Sequence, residues 1–89
     1  MGTLSQDEVD TIFSLGSPHS VILFDDTVHT MDEVISQIIK ATGYDASKSF
    51  DIMMEAHRLG RAIVYTGHLE RCEHVEFILS KIRLRTKIE

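Results

Sequence analysis

Two adjacent carboxylates, Asp25 and Asp26, follow directly on the apolar run Val21-Ile22-Leu23-Phe24, and a histidine, His57, stands on a later apolar stripe. Ionised Asp offers only acceptor oxygens, and neutral His offers an acceptor ring nitrogen. A primary ammonium offers three N–H donors and no acceptor, so this set suits an amine cation carried on a hydrophobic residue. Charge-assisted hydrogen bonds of that kind contribute about 1.5–3 kcal/mol each. Met31, Val34, Met53, Met54 and Leu84 can supply an adjoining pocket, worth about 1.5–3 kcal/mol for one fully buried side chain. Flexible thioethers suit a wall that adapts to more than one occupant. Together these terms point to micromolar binding, about −8 kcal/mol. A histidine ordinarily gains a proton near ~6.5 and an α-amine loses one near ~7.7–8, so affinity should fall on either side of that window.

The same residues also fit a plainer role. Asp25 and Asp26 can be turn residues ahead of a helix, and His57 a last-turn residue favoured by the helix dipole. Two further constellations are weaker. His68 and Cys72 have a spacing that metal pairs use, but His74 points elsewhere and Cys72 falls on an apolar stripe, which favours a buried structural cysteine. Asp25 or Asp26 as general base with His57 as acid is chemically permitted. No nucleophile motif or phosphate-cradling glycine loop accompanies them, so no enzyme, metal or cofactor is expected.

The elements that must position these groups are legible from periodicity and caps. His19 to Phe24 reads as a strand and Asp25 to His29 as a loop. Thr30-Met31-Asp32-Glu33 is a capping box, after which Val34, Ile35, Ile38, Ile39 and Ala41 recur at helical spacing until Gly43. Asp45 is an N-cap candidate for a second helix carrying Phe50, Met53, Met54 and His57, closed by Leu59-Gly60. Arg61 to Tyr65 reads as a strand. Leu69, Cys72, Val75, Ile78, Leu79 and Ile82 define a third helix, and the last six residues alternate as a final strand. The expected fold is α+β, a three-stranded antiparallel sheet covered on one face by three helices in the order β-α-α-β-α-β. Residues 1–18 are expected to be a flexible N-terminal arm, and residues 19–89 the core domain.

Bulk properties narrow the function classes. Eighty-nine residues make one small domain that buries only about 60–65% of its unfolded surface. A net charge of −5 argues against nucleic acid, since a phosphate binder brings a surplus of Lys and Arg. The basic stretch Lys81 to Lys87 alternates with apolar residues and reads as a half-buried strand. No apolar run approaches the roughly 20 residues of a membrane span. The single cysteine leaves no internal disulfide and fits a reducing compartment.

Ile22-Leu23-Phe24-Asp25-Asp26, then Thr30-Met31 opening a helix, then Met53-Met54-Glu55-Ala56-His57-Arg58-Leu59-Gly60, resembles the ClpS family over about Val21 to Ile88. The resemblance implies a non-enzymatic adaptor without cofactors. Such an adaptor binds the destabilising N-terminal residue of a substrate and delivers it to a Clp AAA+ unfoldase of the ClpA or ClpC type. It implies a cytoplasmic location, or the plastid stroma in a eukaryote, and an N-terminal arm that engages the unfoldase. The family motif is commonly Asn-Asp-Asp-x-x-x-Met with a later histidine. Aligned without gaps, Asp25 takes the Asn position, Asp26 the first Asp, and Thr27 the second. His57 then takes the amine-binding His, so Asp25, Asp26 and His57 are the implied amine ligands. Met31 matches the gate methionine, Met53, Ala56 and Leu84 match pocket positions beside Val34, and His29 replaces a smaller residue, often Thr, at the rim. Asp for Asn adds a charge and Thr27 removes one, so local charge is about conserved. By bulk, His29 narrows the pocket and favours leucine over aromatic residues. The alternative is a small α+β interaction module without an amine pocket.

Overall fold

The computed structural model describes residues 2–8 and 17–89. Half of the expected arm, residues 1 and 9–16, lies outside the described residues; residues 2–8 are exposed, with 6–8 helical. The six principal elements run β1 His19–Phe24, α1 Met31–Thr42, α2 Ala46–Leu59, β2 Arg61–Gly67, α3 Leu69–Ser80 and β3 Thr86–Ile88. The sheet is antiparallel in the order β2-β1-β3, so the strand that leads into Asp25 and Asp26 is the central one.

Local chemistry sets the helix ends. Thr30 Oγ1 accepts from the Glu33 amide at 3.2 Å while Glu33 Oε1 accepts from the Thr30 amide at 3.2 Å, which completes the capping box of α1. Gly43 ends that helix at φ 81° and Gly60 ends α2 at φ 87°, a left-handed backbone that costs a side-chain-bearing residue about 1–2 kcal/mol. Asp45 Oδ1 accepts from the Lys48 amide at 2.8 Å and caps α2.

The helices cover one sheet face. Val21 and Leu23 of β1 and Ala62 and Val64 of β2 pack with Val34, Ile38, Met53, Val75 and Leu79 in one buried cluster. Ile22, on the opposite face, is only 2% exposed, and beside it Arg61 of β2 pairs at 2.8 Å with Glu89, the residue after β3. Cys72 is buried, and its thiol donates to the His19 carbonyl at 3.4 Å.

Three expectations need correction. The buried face of α1 is Val34, Gln37, Ile38 and Ala41, with Ile39 only half-buried. Counting apolar residues alone passes over Gln37, whose amide is satisfied by donating to the Ile78 carbonyl at 2.6 Å. On α2 the buried face is Ser49, Ile52, Met53 and Ala56, which leaves Phe50 and His57 exposed at its margin. The final strand is shorter than its alternation suggests. After α3 the chain turns through Arg83 in the left-handed region (φ 62°), and the Leu84 amide returns to the Leu79 carbonyl at 3.4 Å. Leu84 therefore packs as the residue closing the helix end, and strand pairing begins at Thr86.

Candidate functional site

The end of β1 is held from both sides. The Phe24 amide donates to the Arg85 carbonyl and the Asp25 amide to the Gly60 carbonyl, each at 3.0 Å. Arg85 Nη2 donates to the Asp25 carbonyl at 3.1 Å. Gly60 is also the residue that ends α2, so a single hydrogen bond ties the carboxylate-bearing strand end to the helix that carries His57. The result is proximity: His57 Nδ1 lies 3.5 Å from Asp25 Oδ1. Both side chains are accessible, 57% and 33% exposed, and the separation is too long for a good hydrogen bond. Each keeps its acceptor capacity for a third group.

Asp26 behaves differently. Its Oδ2 accepts from the Val28 amide at 3.0 Å and the His29 amide at 2.6 Å, and lies 3.0 Å from His29 Nδ1. Burial alone would raise its pKa, but the bonds from the His29 amide and ring and the Val28 amide outweigh it and hold the carboxyl below its ordinary range. Asp26 therefore builds the 25–30 turn with one oxygen, and among the described residues its Oδ1 makes no hydrogen bond. The turn role falls to Asp26, while the Asp25 carboxylate makes no hydrogen bond among the described residues.

Between these groups lies a cavity of about 180 Å³. Leu23, Val34, Met53 and Ala56 form its buried floor, Phe24 a side wall, and Thr27, His29 and Met31 its rim, with Asp25, Asp26 and His57 also lining it. Of the candidate residues, Leu84 is not among them. Its place at the end of α3 puts it on a separate open groove beside Phe77 and Arg85. Met54 packs at the edge of the core instead. Leu23 and Phe24 are the lining residues that sequence reasoning missed, although their position directly before Asp25 was the available signal.

The cavity's acceptors lack a lysine or arginine partner among the lining side chains, so its polar end favours a cation. His68, Cys72 and His74 do not act together. His68 precedes α3, Cys72 is buried, and burial pushes its thiol pKa up. Among the described residues no three His, Cys, Asp or Glu side chains cluster to hold a metal, and no helix is long and apolar enough to cross a membrane.

Fold and cavity together define a small α+β domain with an acceptor-lined apolar pocket at the end of its central strand. The family profile described as "ATP-dependent Clp protease adaptor protein ClpS" matches residues 15–86. The chain belongs to the ClpS family, a family of adaptors and not of enzymes. The ATP-dependent Clp protease adapter protein ClpS of Corynebacterium aurimucosum is 33% identical over 66 residues, 74% of this chain and 60% of that protein. The corresponding protein of Mycobacterium marinum is 32% identical over 72 residues, 81% of this chain and 71% of that protein. This chain spans 54–65% of the length of the first three curated relatives it matches. The structure of Agrobacterium tumefaciens ClpS2 bound to L-phenylalaninamide shares the fold, with a TM-score of 0.77 at 19% identity over 83% of this chain and 96% of that one.

Proposed function

We propose that this protein is an N-degron adaptor: it binds the free α-amino group and hydrophobic side chain of a substrate's first residue and hands that substrate to a Clp AAA+ unfoldase. The observation that carries the reading is the approach of His57 Nδ1 to within 3.5 Å of Asp25 Oδ1 on the wall of an apolar cavity. Two acceptors held apart around an accessible gap fit an ammonium, which brings donors only. Asp26 Oδ1 supplies a third acceptor. The cavity volume is close to the ~150 Å³ that accommodates a benzene ring in an engineered apolar site, so one large apolar side chain fits and two do not.

Val34, Met53 and Ala56 are the side-chain pocket in this reading, with Thr27, His29 and Met31 at its entrance. Met31 is 49% exposed at the first turn of α1, where a flexible thioether can close over an occupant. The Agrobacterium relative holds an aromatic amino-acid amide, a ligand with a free amine beside an apolar side chain. Family membership supports delivery to a Clp protease, and in this reading the partner is a ClpA- or ClpC-type unfoldase in the cytoplasm or stroma.

The test is a pair of peptides identical except for acetylation of an N-terminal leucine. Acetylation removes the charge and leaves the side chain intact. Binding of the free form at micromolar concentration with at least tenfold loss on acetylation is the expected result. Equal binding of both forms would overturn the amine pocket and favour a plain interaction module. Delivery is tested separately, by whether the protein accelerates degradation of an N-terminal-leucine substrate by a reconstituted Clp protease.

A further inference from the structure

His29 is fixed more tightly than a pocket-rim residue needs to be. Its backbone amide donates to Asp26 Oδ2 at 2.6 Å, and its ring Nδ1 lies 3.0 Å from the same oxygen. The side chain is 15% exposed, far deeper than His57, and it lines the cavity. A carboxylate can only accept, so Nδ1 must carry the proton in this contact. In the neutral ring the lone pair then resides on Nε2, which among the described residues has no hydrogen-bond partner. Nε2 is also absent from the fully buried atoms that lack partners, so it retains access to open space. The apolar residues that line the cavity together with His29 are Leu23, Phe24, Val34, Met53 and Ala56, none of which offers a side-chain hydrogen-bonding group.

We propose that His29 is a specificity-determining residue: its Nε2, set as an acceptor by the Asp26 contact, selects first residues whose ring carries a hydrogen-bond donor, tyrosine and tryptophan, over phenylalanine and leucine. The inference rests on the N-degron reading of the cavity and adds the class of side chain that the pocket prefers. A site with a placed acceptor discriminates against an occupant of similar shape lacking the donor, because that occupant strips water from the acceptor and returns nothing. The preference for leucine expected from His29's bulk is thereby replaced. The ring is drawn against Asp26, and the remaining volume of about 180 Å³ admits an aromatic ring.

The experiment compares peptides that begin with Tyr, Phe, Trp and Leu and share all later residues. Each is used free and acetylated, at pH ~7.5, above the ordinary histidine pKa. The wild-type chain is expected to bind the Tyr peptide about fivefold to tenfold more tightly than the Phe peptide. In His29→Leu the Tyr-to-Phe ratio should fall to about one while binding of the Phe peptide is kept or improved. Nitrogen-15 NMR of the wild-type imidazole gives a readout that needs no variant. The expected spectrum has the proton on Nδ1, and the Nε2 shift moves on adding the Tyr peptide but not the Phe peptide. Equal affinities for Tyr and Phe, a Tyr preference that survives His29→Leu, or a proton on Nε2 would each overturn the proposal. If free peptides bind and acetylated ones do not, yet Tyr and Phe are equal, only this inference fails. If acetylation makes no difference, the N-degron reading fails and takes this one with it.

Discussion

Asp25 and His57, from a strand end and a distant helix, stand 3.5 Å apart without a good hydrogen bond, across the mouth of an apolar cavity. Groups of this kind normally close on each other or on water. Here the Asp25 backbone is anchored by the Gly60 carbonyl and the Arg85 guanidinium and His57 by its helix, so the gap is kept by what holds the two backbones and not by a bond between the two side chains.

That gap makes the two positions separable by substitution. His57→Ala should weaken an amine-dependent peptide complex about tenfold or more, the worth of one charge-assisted hydrogen bond. Asp25→Asn keeps an acceptor oxygen in place and should cost less than Asp25→Leu, which removes acceptor and charge together. Fluorescence anisotropy with a labelled N-terminal-leucine peptide decides the order; an unchanged affinity in His57→Ala would remove it from the clamp.

Asp26 predicts an acid-dependent turn. Its folded pKa lies below the ordinary 3.8, with burial opposing and the His29 and Val28 hydrogen bonds prevailing. A depressed folded value means the stabilisation is fully present above the unfolded pKa and is lost as pH falls through the folded one. Asp26→Ala should lose about 1–3 kcal/mol at neutral pH. The gap between wild type and variant in urea midpoint should close as the solution is acidified below pH 3.8. A constant gap down to the most acid point would contradict the assignment.

Gly60 couples stability to the site. Its φ of 87° lies in the left-handed region, and a Cβ there would meet no atom within 4 Å, so Gly60→Ala isolates backbone strain. The expected cost is about 1–2 kcal/mol in denaturant unfolding. Because the Gly60 carbonyl holds the Asp25 amide, peptide affinity should fall with it. A variant with wild-type unfolding midpoint would show that the helix end tolerates the side chain.

Ser49 is a stabilisation target. Its Oγ is fully buried and has no hydrogen-bond partner among the described residues, on the inner face of α2. Ser49→Ala removes a desolvated hydroxyl and improves helix propensity, so stability should rise by about 1 kcal/mol. Urea unfolding checks the sign, and peptide affinity should not change because Ser49 lines no wall of the cavity.

Much of this molecule is written in short stretches of sequence. The capping box at Thr30 and Glu33, Asp45 before α2, and Gly43 and Gly60 after their helices each act on neighbours within a few residues, so residue type and spacing suffice to read them. The acceptor chemistry of Asp25, Asp26 and His57 is likewise a property of residue type. Only the tertiary structure decided which partner each one has. Two adjacent aspartates look alike in sequence, yet the turn takes up one oxygen of Asp26 and leaves Asp25 facing a helix brought in by Gly60. Leu84 and Met54 were equally plausible pocket residues by hydropathy. The turn at Arg83 and the rotation of α2 aim them elsewhere, because burial direction is set by what an element packs against and not by its own period.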